Sequence, residues 1–467
     1  MVEARRPRRV VVVANRGPYR LRGAAGERHW VRSSGGLVTA LDPVLRERGG
    51  VWVAAGEAED NALEPGPEVS YEVPTVELPE ALQRDFYLGV SNDVLWPLLH
   101  SFPPTLRVGE APWQAYEAAN RAFADAALAH SDPEDLVWVH DYHLMRVPAM
   151  LREARPQARI GWFCHVPWPA PDLYRVLPPR RALLDGLLGA DLLGFHTEEY
   201  ARYFLDCVAR LTDYPVDPAR MTVRVGERRV QVRVTPIGIP VREAAARARD
   251  PEVVAGAERL REGVGHRRIL LGVDRLDYTK GIVERLLAYQ RFLEADPARR
   301  EQFVLVQIAV PSRTDVPAYR QLQREVAELV GDINGRYSTT GRVAIHYLFH
   351  ELDPATLYAH YRAAEVCLVT PLRDGMNLVA HEYVAAHRGE DGVLVLSEFA
   401  GAAEYLRDAL LVNAYDLGDI AGAIERAVRM PREERARRLR ALTEEVASLD
   451  VHRWADDFLE LLERARR

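Results

Sequence analysis

The sequence predicts an α/β protein built from two doubly wound domains, each around a mostly parallel sheet. Three observations carry this. The chain has 467 residues, more than one hydrophobic core fills, so two domains are expected. Apolar, β-branched runs alternate with segments of helical spacing, the pattern of strands covered on both faces by helices. That alternation runs twice, on either side of Pro236-Ile-Gly-Ile-Pro240, a rigid stretch that reads as a linker.

In the first half, Arg9 to Ala14 is a continuous β-branched run and the natural first strand. Asn15-Arg16-Gly17-Pro18 breaks it, and Arg20 to Arg32 is polar and reads as a loop. A helix opens at Ser33-Ser34-Gly35-Gly36-Leu37. Further strands fit Val51–Ala54, Ser70–Val73, Leu136–His140, Arg159–Cys164 and Asp191–Phe195. Helices fit Asn92–His100, Trp113–His130, His143–Glu153, Arg181–Leu188 and Thr197–Leu211, and a hairpin turns at Gly226. In the second half, strands fit Ile269–Val273, Phe303–Ala309, Ala344–Leu348, Val366–Val369 and Val393–Leu396. Helices fit Gly281–Leu293, Ala318–Ile333, Pro354–Arg362, Asn377–Ala386 and Ile420–Met430. A last amphipathic helix starts at His452, with Trp454, Phe458, Leu459 and Leu462 on one face.

Composition narrows the class. Lys and Arg total 61 against 68 Asp and Glu, a net charge of −7. That argues against nucleic acid or an anionic membrane as the main partner, so phosphate binding must come from a local site. No run of 18 apolar residues suggests a membrane span, and the apolar run behind the basic N-terminus is too short for a signal peptide. Three cysteines without a CxxC pair suggest a reduced cytoplasm and no zinc site.

Five clusters stand at predicted strand ends, where ligands of open α/β sheets bind. Asn15-Arg16 with Gly35-Gly36 offers a cation and close backbone approach at a helix start, or simply a serine-capped helix. His140-Asp141-Tyr142-His143 suits hydroxyl recognition or, less readily, a metal. His165 ends a strand as a contact residue or a core histidine. Asp274-Arg275-Leu-Asp277-Tyr-Thr-Lys280-Gly281 sets two cations on a loop entering a helix. They would clamp a diphosphate, unless local salt bridges to Asp274 and Asp277 occupy them. Pro311-Ser312-Arg313 is the fifth. The stretch Val366 to Glu382 completes the set: a strand, a turn holding Arg373, Asp374 and Gly375, and a helix start whose unpaired N–H groups form an anion cradle. Glu382 lies just over one turn along that helix and suits a ribose.

These residues resemble a known family. Asn15-Arg16, Ser34-Gly-Gly-Leu37, Asn92-Asp-Val-Leu-Trp-Pro97 and His140-Asp-Tyr-His143 are similar to motifs of the trehalose-6-phosphate synthases, retaining glycosyltransferases of family 20. So are His165-Val-Pro-Trp-Pro169, Arg275-Leu-Asp-Tyr-Thr-Lys-Gly281, Thr370-Pro-Leu-Arg-Asp-Gly-Met-Asn-Leu-Val379 and Ser397-Glu-Phe-Ala-Gly-Ala402. The resemblance spans about residues 9 to 460. It implies a GT-B fold of two Rossmann-like domains facing a central cleft. The acceptor-binding domain is expected at residues 1–236 and the nucleotide-sugar domain at 237–450, with the helix at about 451–467 packed back on the first.

The implied activity is synthesis of α,α-trehalose 6-phosphate from nucleoside-diphosphate glucose and glucose 6-phosphate. By the resemblance, Arg275 and Lys280 hold the donor diphosphate, helped by the backbone of Gly35, Gly36, Asn377, Leu378 and Val379. Glu382 binds ribose, Asp374, Gly375 and Met376 hold donor glucose, and His165 lies near the reacting carbon. Of these, His165, Arg275, Lys280 and Asp374 carry the chemistry. Arg16 and Arg313, with Tyr87, bind the acceptor phosphate, while Trp96 and Asp141 position its sugar. The expected partners are these small molecules, with no metal or other cofactor; self-association is left open. Two features point elsewhere. The run Trp52-Val-Ala-Ala-Gly56 lacks the second tryptophan that many members carry near the acceptor. Leu98-Leu-His-Ser-Phe-Pro103 is similar to glucosylglycerol-phosphate synthases, whose acceptor is glycerol 3-phosphate. A non-catalytic sugar-phosphate sensor on the same fold is the third alternative, and the donor base is open.

Overall fold

A computed structural model of the chain describes residues 8–22, 29–33, 36–56, 70–103, 108–313, 316–387 and 391–465. The chain divides into two compact units, Met1–Ile237 with Val451–Arg467, and Gly238–Asp450. Each is a sheet with helices on both faces, as the alternation predicts.

The first unit carries strands β1 (Val10–Val13), β2 (Tyr19–Arg22), β3 (His29–Arg32), β4 (Val51–Gly56), β5 (Thr75–Glu77), β6 (Leu136–His140), β7 (Arg159–Phe163), β8 (Leu192–Phe195), β9 (Val216–Asp217), β10 (Thr222–Val225) and β11 (Arg228–Val234). Its main sheet runs β5-β4-β1-β6-β7-β8-β11-β10-β9. Pairing is parallel from β5 to β11, and only β10 runs against the others, antiparallel to β11 on one side and to β9 on the other. β1, β6 and β8 are buried throughout, which is why they read as unbroken apolar runs.

The second unit carries β12 (Arg268–Arg275), β13 (Phe303–Val310), β14 (Ile345–Leu348), β15 (Val366–Val369), β16 (Val393–Ser397) and β17 (Leu410–Val412). They form one parallel sheet in the order β14-β13-β12-β15-β16-β17. Its core joins Leu270, Leu305 and Leu368 of the strands to Leu286, Tyr289, Phe292, Ile420 and Ile424 of the covering helices. The strand order reverses between β12 and β15, so the loops that follow these two strands open at the switch point of the sheet.

The C-terminal helix Val451–Arg464 belongs to the first unit. It buries Trp454, Phe458, Leu459 and Leu462. Phe458 stacks on Trp138 of β6, with ring centroids 4.5 Å apart. Two glycines make room for it: a Cβ on Gly161 or on Gly194 would lie 2.7 Å from the Phe458 ring.

Three elements differ from expectation. The described parts of Arg20 to Arg32 are not loop but the antiparallel pair β2–β3; each strand is only four residues long, too short for its pattern to stand out among the arginines. The strand expected at Ser70–Val73 forms at Thr75–Glu77 instead, because Pro74 interrupts the ladder and Glu72 makes only an isolated bridge to Val51. The helix expected at Asn92–His100 starts earlier, as π-helical turns over Arg84–Leu95 that tighten into α-helix at Trp96–Leu99.

Candidate active site

In the second unit, β12 leads through Asp274 and Arg275 into the short turn Tyr278–Lys280 and then the helix Ile282–Glu294. Gly281 joins turn to helix at φ 62°, and a Cβ there would lie 2.3 Å from the Thr370 carbonyl oxygen. Only glycine meets both demands. The close approach brings in the loop after β15, whose Leu372 N–H donates to the Thr279 carbonyl at 2.8 Å.

The two loops meet at Asp374. Its Oδ2 accepts from Lys280 Nζ at 2.6 Å and from Asn377 Nδ2 at 2.9 Å, while Oδ1 accepts from the Gly375 N–H at 2.9 Å. Both side chains of the Lys280–Asp374 pair are largely buried, at 10% and 13% exposure. Asn377 holds a left-handed backbone (φ 74°) just before the helix Leu378–His387. That turn starts the helix beside Asp374 and leaves its first N–H groups as an anion cradle. Met376 is buried, and its carbonyl accepts from the Ala402 N–H at 3.0 Å. Leu378 and Val379 form the half-buried first turn. One turn on, Glu382 is partly exposed and accepts from the Tyr361 hydroxyl at 2.7 Å. Burial raises the Glu382 carboxyl above its ordinary range.

Two buried networks hold these loops. Arg285, fully buried, pairs with Asp274 and donates to Thr370 Oγ1 at 3.0 Å, Gln307 Oε1 at 3.0 Å and the Lys280 carbonyl at 3.3 Å. One guanidinium thus ties β12, β13 and the β15 loop together. Asp277, also fully buried, receives Arg313 at 3.4 Å, the Tyr319 hydroxyl at 3.0 Å and the Thr279 N–H at 3.0 Å. Burial alone would raise the Asp277 carboxyl, but Arg313, Arg275 and Lys280 outweigh it and hold the group at about 2. The two aspartates of the β12 loop are thus paired inside the protein by Arg285 and Arg313, and Lys280 pairs with Asp374, in place of the bridges from Arg275 and Lys280 to Asp274 and Asp277 that the sequence allowed. Arg275, Lys280, Arg285, Arg313 and Arg373 stand with Asp274, Asp277 and Asp374, an excess of two positive charges at the loops.

In the first unit, Arg16 and Tyr87 line one pocket of about 250 Å³ with Asn15, Tyr19, Ala55 and Gln83. Tyr87 stacks on His143, with centroids 5.7 Å apart. Trp96 is buried, packed 4.0 Å from His100 and 5.8 Å from Tyr142, and does not line that pocket. Asp141, half-buried, has φ 72° and ψ 173°, a region almost restricted to glycine that costs about 1–3 kcal/mol. Strain of this kind collects at ligand sites. Among the described residues, six non-glycine positions have positive φ, and Asp141, Arg313 and Asn377 are three of them. His165 follows β7, partly exposed, and its Nε2 lies 3.0 Å from His140 Nδ1. Gly36 opens the helix Gly36–Arg48; Gly35 lies outside the described residues.

Sequence reasoning missed Arg285, Tyr319, Tyr361 and the pairing role of His140. Arg285 left a trace, a charge among the apolar positions Ile282, Leu286 and Tyr289. The others are ordinary polar residues whose partners are distant in sequence.

Two Rossmann-like units, with cations and helix N-termini at the strand ends of the second, define a glycosyltransferase of the GT-B class. The model of glycosyltransferase family 20 matches residues 8–464, and the chain belongs to that family. It is 43% identical to a trehalose-6-phosphate synthase of Mycolicibacterium smegmatis, over 97% of this chain and 92% of that protein. It is 42% identical to a bifunctional trehalose-6-phosphate synthase/phosphatase of Thermoproteus tenax, over 97% of this chain but only 63% of that protein's length. Among solved structures, an α,α-trehalose-phosphate synthase (UDP-forming) of Burkholderia xenovorans in complex with glucose-6-phosphate superposes with a TM-score of 0.89. It is 34% identical and covers 97% of this chain and 100% of its own. The E. coli protein bound with UDP-2-fluoro glucose gives a TM-score of 0.88 at 36% identity, covering 97% of this chain and 98% of its own.

Proposed function

We propose that the protein transfers glucose from a nucleoside-diphosphate glucose to glucose 6-phosphate, with retention of configuration, giving α,α-trehalose 6-phosphate. The Lys280–Asp374–Asn377 cluster carries this reading, because it joins a cation, a hydroxyl-binding carboxylate and a helix N-terminus at one switch point. Arg275 and Lys280 grip the donor diphosphate and offset the charge that builds on it as the glycosidic bond breaks. The backbone of Asn377, Leu378 and Val379, with that of Gly35 and Gly36, supports the phosphates. Asp374, Gly375 and Met376 hold donor glucose, Glu382 holds ribose, and His165 lies at the reacting carbon. Arg16, Arg313 and Tyr87 bind the acceptor phosphate, with Trp96 and Asp141 at its sugar. With two cations at the leaving group, the reading includes no metal or other cofactor.

Relatives support the substrates, since one is described with glucose-6-phosphate and one with a UDP-glucose analogue. We take UDP-glucose as the donor to try first. A cytoplasmic setting fits the three buried, unpaired cysteines. Among the described residues no helix is long and apolar enough to cross a membrane. One observation favours a second reading: small Ala55, not a broad aromatic residue, lines the pocket beside Arg16 and Tyr87, which suits glycerol 3-phosphate. The test is nucleotide release by purified protein across UDP-, GDP- and ADP-glucose with both acceptors. Release with glucose 6-phosphate is expected. Release only with glycerol 3-phosphate moves the assignment to the second reading. Calorimetric binding of sugar phosphate without any release makes the protein a sensor.

A further inference from the structure

His140 ends β6 fully buried, and its Nδ1 lies 3.0 Å from Nε2 of His165. Its ring is packed against Trp138 at 4.6 Å and, further out, Trp454 at 6.4 Å and Phe163 at 6.5 Å. Trp454 comes from the C-terminal helix and also lies 6.2 Å from His165, so this helix backs both imidazoles. The other nitrogen, His140 Nε2, is buried with no hydrogen-bond partner among the described residues.

A neutral imidazole carries one N–H. Burial pushes the His140 imidazole down to about 3. Burial, then His140 and His196, hold His165 well below the usual histidine range. Both rings are therefore neutral at working pH, and one proton lies between them. If His140 carried its proton on Nε2, a buried donor would be stranded with no acceptor among the described residues. With the proton on Nδ1, His140 donates to His165 Nε2, and the stranded nitrogen is a bare acceptor, the less costly orphan. His165 must then carry its own proton on Nδ1, the nitrogen left to meet a ligand.

We propose that His140 is a positioning residue that holds His165 in the Nδ1–H tautomer, so that His165 offers a hydrogen-bond donor to an oxygen of the sugar donor. The sugar as ligand rests on the function proposed above; the tautomer does not. Partners that orient metal-bound histidines are worth about 10- to 100-fold, and an effect of that order is expected for this pair of histidines.

The test uses full-length protein labelled with ¹⁵N at histidine. In the resting wild type, the ring spectra should show His165 with a bare Nε2 and a protonated Nδ1. The reverse tautomer overturns the proposal, whatever the activity. His140→Leu should release the tautomer preference and lower kcat about 10- to 100-fold. His140→Asn places an amide N–H near the Nδ1 position and should recover much of kcat. Both are compared with wild type for melting. A well-folded His140→Leu protein with unchanged tautomer and kcat also overturns the proposal. If that variant does not fold, the wild-type spectrum alone decides. Absence of glucosyl transfer by the wild type would instead count against the proposed function.

Discussion

Lys280 and Asp374 meet at 2.6 Å although they lie 94 positions apart, joining the loop after β12 to the loop after β15. This pair sets the position of the helix start at Leu378, because Asp374 also receives Asn377 and the Gly375 N–H. Lys280→Ala should therefore lose the diphosphate contact and release Asp374 from its place. A drop in kcat of about 10²–10³ is expected. Steady-state rates with UDP-glucose and glucose 6-phosphate check it; a variant within threefold of wild type would remove Lys280 from the clamp.

Arg285 should matter as much for stability as Lys280 does for rate. Arg285→Met leaves Asp274 buried and unpaired, a loss of about 3–5 kcal/mol. Arg285→Lys cannot reach Asp274, Thr370, Gln307 and the Lys280 carbonyl together, so it should recover little. Chemical denaturation of both variants gives the comparison. Equal stability of Arg285→Lys and wild type would mean that the fork is not needed.

The Asp277 carboxyl gives a pH signature. Its folded value of about 2 lies below the ordinary 3.8, so the ionised form is favoured by folding. The stability this contributes, on the order of 2 kcal/mol, is present above about pH 4 and lost as pH falls towards 2. Arg313→Ala removes the largest stabilising charge, so this acid-dependent loss should shrink, and the variant should be less stable at neutral pH. The same substitution should raise the KM for glucose 6-phosphate. Melting curves from pH 2 to 7 and acceptor titrations test the two effects separately.

The left-handed Asp141 predicts a trade between stability and activity. Asp141→Gly relieves backbone strain of about 1–3 kcal/mol, partly offset by the greater freedom of glycine when unfolded. A gain of about 1 kcal/mol is expected, together with weaker acceptor binding. A variant that is both less stable and fully active would contradict both halves.

Much of this was legible in the residues. Buried parallel strands such as Val10–Val13 and Val366–Val369 announce themselves, because both faces must be apolar. The loops after β12 and β15 were legible too, since Gly281, Asp374 and Asn377 are residue types that tight turns and anion cradles require. What stayed hidden depends on distant partners. Nothing local says that Arg285 will find Asp274 and Gln307, or that His140 will face His165. The pair β2–β3 stayed hidden because each strand has only four residues, and the alternation of Tyr19-Arg20-Leu21-Arg22 is too brief to be told from a polar loop. Thr75–Glu77 was displaced because the effect of Pro74 depends on its neighbour β4.

The most direct test of the central claim is the product itself. Protein incubated with UDP-glucose labelled with ¹³C at C1, and with glucose 6-phosphate, should yield trehalose 6-phosphate. Its NMR spectrum should show the label in an α,α-1,1 linkage. A β-linked product, or no disaccharide phosphate while glycerol 3-phosphate is glucosylated, would contradict the account.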